Sequence, residues 1–467
     1  MAELVNAEIY RSTGQVGAIT AKSISDWERG WYTLPREHVR SALSKVLDVA
    51  GPEELGFHRR RTPRQDRAEQ HVPLPLQESL IAAATSNEGI PFGTVGYLEI
   101  PGGQSFLGAG MVVHYCAAKV GEHGRVTPQL TEDAATVLNR PDFRTMLIAQ
   151  VPDLDEGDLY LSDGREFAGQ RPTPGQIPAA FVLDDFTVGL IWAITNTDTA
   201  ILADDAALDT YQRGLTRYEQ LTASAATTSE APELNSVSQR WLGSYFCASH
   251  ISRNLSRLSP HPMFWTREQR GEEAASWLLW SHKLDYLRHT ARTLPSARRG
   301  FCVPEHQLES SPRYERVVLL LAIALMEAFG ITVEVNAEPD LADVEGFVLG
   351  DAAIVANFLR APGLWYVETS APRSRRTVYA EVDHRSSSRS IIAQSTSARR
   401  LEAMAGYLNI PWSWFRRRCR DLTYAGVDGI ARPRSRLLST EGLATAIRYV
   451  AYLDKTTSLQ GDDLARS

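Results

Sequence analysis

The spacing of apolar positions changes repeatedly along the chain, and each change marks a different kind of element. Near the start the period is helical. Leu4, Val5, Ala7 and Ile9 predict a short leading helix, Ile24 and Trp27 stand three apart on a second, and Val39, Ala42, Leu43, Val46, Leu47 and Val49 define a third. Thr20 is placed to cap the second helix, Gly30 to end it and Pro35 to open the third. From 72 to 169, short apolar or alternating runs at 93–100, 105–108 and 111–117 are punctuated by glycine and predict strands, with Pro101-Gly102-Gly103 as a turn. Residues 170–178 read as a linker, after which helical spacing returns over 180–195 and 202–221.

The most aromatic stretch follows, with Trp241, Tyr245, Phe246, Phe264, Trp265, Trp277, Trp280 and Tyr286 read within helical patterns. Trp277, Trp280 and Leu284 share one face of that reading. An uninterrupted apolar run at 317–326 predicts a buried helix. Strands are then expected at 331–335, 346–349, 353–356, 364–368 and 377–382, and basic helices at 398–408 and 412–422.

These elements predict a multidomain fold, mainly α with α+β parts. A helix-turn-helix domain would occupy 1–57, a basic linker 58–71, a β-rich domain 72–169, a helical, aromatic-rich region 179–300, and an α+β module with a basic helical end 304–454.

The first 57 residues have the layout of a helix-turn-helix reader, in which one helix lies in the major groove. Leu4-Val5, Thr20-x-x-x-Ile24-Ser25-x-Trp27-Glu28-x-Gly30 and Pro35 resemble the motif of the Cro and lambda-repressor-like (XRE) helix-turn-helix regulators. The ending Glu54-Leu55-Gly56-Phe57 resembles their actinobacterial members, and segments 186–205, 264–287 and 431–438 resemble the long C-terminal portion of large regulators of that type. The resemblance implies that Thr20, Lys22, Ser23 and Asp26 face bases or backbone and that Arg29 meets phosphate, while Trp27 and Glu28 pack and pin the third helix. Two departures stand out. The connection from Arg11 to Ile19 is enlarged, and the family's first helix is expected either to be missing or to lie upstream of Met1.

Composition narrows this further. The 467 residues are 43% hydrophobic and 22% charged, with a formal net charge of −7, which excludes a wholly basic nucleic-acid coat but leaves room for a local basic patch. Arg59, Arg60 and Arg61 are either a solvated linker or a backbone-contacting arm beside DNA. Between Arg373 and Arg436 there are fourteen arginines against five carboxylates, read either as solvated and paired faces or as a second DNA contact. Four scattered cysteines suit a reducing compartment, no signal peptide is evident, and 317–326 is too short to span a bilayer, so a cytoplasmic protein without membrane contact is expected.

No phosphate-binding loop, dinucleotide fingerprint, H-E-x-x-H or paired C-x-x-C is present. Gly103 to Gly108 is not a nucleophile elbow, and Cys247-x-x-His250 lacks a partner pair for zinc. No catalytic residue, metal or cofactor is therefore expected. The aromatic stripe is read in two ways: as core, or as a pocket in which Trp265, Trp277, Trp280 and Tyr286 line a small ligand with polar contacts from Arg267, Glu268, Arg270 or His282. Together these features predict a transcriptional regulator that binds double-stranded DNA as a homodimer and senses a small-molecule effector or a partner. The alternative is a ligand-binding or interaction module with a vestigial helix-turn-helix.

Overall fold

The computed structural model describes residues 1–13, 17, 19–21, 23–24, 37–47, 49, 95–121, 125–130, 134, 138, 144–151, 159–167, 175–215, 223–227, 234–258, 261–350, 354–358, 364–368 and 373–453. The chain divides into two compact units, Met1–Leu74 and Pro75–Ser467. In the first, helices α1 (Ala2–Thr13) and α2 (Glu37–Val46) pack through Val5, Ile9, Val39, Ala42 and Leu43, with Ile19, Ile24 and Val46 at the margin. These are the positions that helical spacing singles out.

The second unit opens with strands β1 (Val95–Ile100), β2 (Ala109–Val120), β3 (Arg125–Pro128), β4 (Thr145–Gln150), β5 (Leu159–Asp163) and β6 (Ile177–Pro178). They form a sheet in the order β5-β4-β2-β3-β6, with β1 also on β2; β2 and β4 run parallel and the other pairs antiparallel. Helices α3 (Asp185–Ala203) and α4 (Asp205–Leu215), strand β7 (Ala223–Thr227) and helix α5 (Ser236–Asn254) follow. Among the described residues α3 alone is long and apolar enough to cross a membrane, and 83% of that stretch is buried inside the unit.

Strand β8 (Met263–Glu268) leads into helices α6 (Gly271–Leu279) and α7 (Ser281–Thr293), then strand β9 (Arg298–Cys302), helices α8 (Glu305–Ser310) and α9 (Arg313–Ala328), and strand β10 (Thr332–Asn336). With β11 (Gly346–Leu349) and β12 (Ile354–Phe358) these strands make a second sheet, ordered β10-β9-β8-β11-β12. Its first three strands are parallel and the last two antiparallel to their neighbours. Strand β13 (Leu364–Glu368) pairs with β7, and helices α10 (Arg373–Ser388), α11 (Ser397–Tyr407), α12 (Trp412–Ala425) and α13 (Glu441–Ala451) complete the chain. The apolar helix α9 packs against α3, α6 and α13 at the centre of the core.

Two expectations are corrected. Phe264 and Trp265 are not helical but lie on β8, where side chains alternate between the faces of the sheet, so strands from within 179–300 and 304–454 build one sheet. Residues 377–382 belong to α10 rather than to a strand, because Tyr379, Val382 and Ser386 are buried at spacings of three and four.

Candidate functional site

In the first unit the N-cap expected at Thr20 is present. The Ser23 N–H donates to Thr20 Oγ1 at 3.2 Å, the two hydroxyls lie 3.0 Å apart, and the Ile24 N–H closes the first turn on the Thr20 carbonyl at 3.2 Å. Asn6 fixes the approach: its amide donates to the Ile19 carbonyl at 2.8 Å and accepts from the Ile19 N–H at 2.9 Å. Gly17 passes so near that a Cβ there would meet Asn6 Oδ1 at 2.4 Å, which makes a side chain at this point of the enlarged turn costly. Thr20 is exposed and Ser23 half-buried. Lys22, Asp26, Arg29, Arg59, Arg60 and Arg61 lie outside the described residues.

In the second unit, Trp277, Trp280 and Tyr286 come together and Trp265 does not. Strand alternation sends Trp265 to the opposite face of the sheet, into a separate cluster with Met263, Phe347 and Tyr379, where its indole N–H donates to the Val344 carbonyl at 3.3 Å. Phe264, its neighbour, faces Tyr286 at 6.4 Å between ring centroids, and Trp277 lies 6.5 Å from Tyr286. The helix expected to carry Trp277, Trp280 and Leu284 is broken at Trp280, which is extended (φ −78°, ψ 118°) and bridges Leu438. The Ser281 N–H to Leu437 and Ser439 N–H to Leu279 bonds hold that break.

Two cations share this aromatic layer. The Arg299 guanidinium on β9 lies 4.6 Å from the Trp277 ring, 5.3 Å from Phe264 and 5.7 Å from Tyr286; Lys283 Nζ lies 4.0 Å from Trp277 and 4.7 Å from Trp280. Arg299 is 2% exposed and Lys283 half-buried. Lys283 donates to Ser276 Oγ at 2.6 Å, and among the described residues neither cation has a carboxylate partner within salt-bridge distance. The nearby carboxylate, Glu273, is engaged by Arg240 at 2.7 Å and by the Arg270 N–H at 3.0 Å. Burial, and then the Arg299 charge, push the Lys283 ammonium down to about 7.

His282 stacks beside Trp280, meets the edges of Trp241 and Tyr245, and shares a hydrogen bond of 3.0 Å with Ser244 Oγ through Nε2. Burial holds its pKa well below the usual imidazole range, so the ring is neutral. Around this layer Arg299 Nε and Nη2, Trp241 Nε1, Trp280 Nε1 and His282 Nδ1 are buried without a hydrogen-bond partner.

Sequence reasoning missed a second feature, a small cleft lined by Arg270, Gln307, Ser311, Glu315, Arg316 and Leu408 among others. It opens where β8 and β9 end, the usual place for ligands in parallel sheets. Gly271 lets α9 approach, since a Cβ there would meet Glu315 Cβ at 2.8 Å. Desolvation, followed by the Glu272 charge, pushes the Glu315 carboxyl up to about 8, and Gln307 Oε1 is buried without a partner. Arg267, near the end of β8 where the pairing with β9 shifts register, is left-handed at φ 67°, a strained position for an arginine.

Much of the basic C-terminal stretch is used internally. Arg400 pairs with Glu327 at 2.7 Å, Arg418 with Asp184 at 2.7 Å, Arg434 with Asp198 at 3.2 Å and Arg385 with Asp340 at 2.9 Å. Among the described residues no three His, Cys, Asp or Glu side chains converge as metal ligands. All four cysteines are free and buried, and burial pushes the Cys116 and Cys302 thiols up to about 12, away from reactivity. Compared with known protein families, with curated proteins and with solved structures, the chain matches none.

Proposed function

We propose that the chain is a sequence-specific DNA-binding regulator of the XRE type, in which the unit Met1–Leu74 reads DNA and the unit Pro75–Ser467 senses an effector. The observation that carries this reading is the helix start at Thr20, capped by its own hydroxyl and clamped by Asn6 on a small apolar core. A reader needs a rigid helix whose first-turn side chains face outward, and exposed Thr20 stands at that place. Lys22, Ser23 and Asp26 belong to the same turn by sequence, with Arg29 toward phosphate. Arg59, Arg60 and Arg61 add sequence-blind affinity, and a homodimer doubles the few base pairs that one helix covers.

The test is selection of genomic fragments bound by the full chain at two salt concentrations. A shared, pseudo-palindromic sequence is expected, with affinity falling steeply as salt rises. Lys22→Ala and Arg29→Ala should each lower affinity by about tenfold. Enrichment of nothing, or of the same sequences by both variants, defeats the reading. The unpaired cations of the aromatic layer favour the second reading, a ligand-binding module without DNA affinity, which the same selection would leave standing alone.

A further inference from the structure

The second unit pairs its buried arginines. Arg144 and Arg418 each meet a carboxylate at 2.7 Å, as does the half-buried Arg400. Arg299, as deeply buried, meets none among the described residues, and half-buried Lys283 beside the same indole meets none either. Leaving a charge unpaired in an apolar layer is costly, and folded proteins rarely tolerate two together. Four of the five unmet polar atoms have one character as well, His282 Nδ1 being the exception. Arg299 Nε and Nη2, Trp241 Nε1 and Trp280 Nε1 can only donate. What they lack is an acceptor carrying negative charge.

We propose that this layer, built by α5, α6, α7 and β9, binds an aromatic carboxylate. Nε and Nη2 form one edge of the Arg299 guanidinium, the edge that grips two coplanar carboxylate oxygens, while Tyr286 already engages the rest of the group. Lys283 supplies the second positive charge. Trp241 stacks on Tyr245 and Trp280 on His282, an aromatic lining of the kind that suits a planar ring, and the two indole N–H groups add donors. Trp280 stands at the break between α6 and α7, outside both helices, and its ring covers Lys283. The inference deepens the sensing half of the proposed function and is independent of DNA binding.

The test is calorimetric titration of the full chain with benzoate and indole-3-acetate, each beside its uncharged amide, benzamide and indole-3-acetamide. The acids are expected to bind at least about tenfold tighter than the amides. Lys283→Met, and Arg299→Lys, which keeps the charge but loses the fork, should each weaken the acids by about tenfold or more. Should Arg299→Lys fail to fold, Lys283→Met and the amide comparison decide the matter. Acids and amides binding alike, or none of the four binding at millimolar concentration, overturns the proposal. Acid binding without enrichment of any DNA sequence keeps this site and removes the DNA reading; DNA enrichment without acid binding does the reverse.

Discussion

Arg144 and Arg299 are equally buried guanidinium groups in the same unit, at 3% and 2% exposure, yet their surroundings are opposite. Arg144 donates to Asp198 at 2.7 Å and stands 3.6 Å from Asp163. Asp198 also accepts the N–H groups of Arg434 and Ser435 at 2.8 Å, and Asp163 accepts from the Arg165 side chain and the Arg432 N–H. These bonds fasten the segment 432–435 to β5 and α3, from opposite ends of the unit's sequence. Arg299 has ring faces where Arg144 has carboxylates. The first arrangement is a clasp that serves the fold. The second gives up stability, as a site built to receive an anion does.

The contrast can be broken most directly by removing a carboxylate from the clasp. Asp198→Ala leaves Arg144 and Arg434 without their shared partner and two backbone N–H groups unmet, so urea unfolding should show a loss of about 3–5 kcal/mol. Arg299→Met should go the other way. It replaces an unpaired cation by an apolar chain of similar length among aromatic rings, and the expected change is neutral to about 2 kcal/mol stabilising, with carboxylate binding lost. A destabilisation as large as that of Asp198→Ala would make Arg299 a structural cation and erase the difference between the two regions.

The two regions also differ in how far the sequence foretells them. Period alone finds α1, α2, α9 and, in the first sheet, β1 and β2, because each has a continuous apolar face of its own; it misses β3, β4 and β5, leaves β6 in a linker, and reads a strand at 105–108 where the chain has none. It misreads β8, whose apolar part is three residues long and reads equally as a turn of helix, and it misreads α10, where alternating Val378, Ala380 and Val382 hide the buried set of Tyr379, Val382 and Ser386. Trp277, Trp280 and Tyr286 are legible as a group because they are local. Trp265 is wrongly joined to them, since a face of a sheet is known only once the strand is. The charges are the least legible. Arg434 finds Asp198 at a separation of 236 residues and Arg418 finds Asp184 at 234, so nothing local says that much of the arginine-rich end is spent on internal pairs. That Arg299 and Lys283 lack such partners is equally invisible until the whole core has been assembled.

The smallest effect expected is a pair of opposite pH slopes, which sharpens the comparison by asking whether the unpaired groups carry their cost in solution. Lys283 titrates at about 7 in the folded chain against 10.5 for an ordinary lysine, so between those values the unfolded chain binds more protons and stability rises with pH. Lys283→Met should therefore be more stable than the parent below pH 7 and lose that advantage as the pH climbs toward 10.5. Glu315 gives the mirror case. Its carboxyl titrates at about 8 against 4.5, the folded chain binds the extra proton between those values, and stability falls as the pH rises through that window. Glu315→Gln should match the parent at acid pH and exceed it above pH 8, by roughly 1 kcal/mol, because the cleft leaves the carboxyl partly open to water. Unfolding curves for both variants across the pH range measure this directly. Saturating indole-3-acetate should flatten the Lys283 slope alone, because a bound carboxylate holds the ammonium charged, whereas Glu315 lies in the cleft with Arg270 and responds to the Glu272 and Glu273 charges. If both slopes flattened together, the acid would be acting on the unit as a whole rather than on the Lys283 and Arg299 layer.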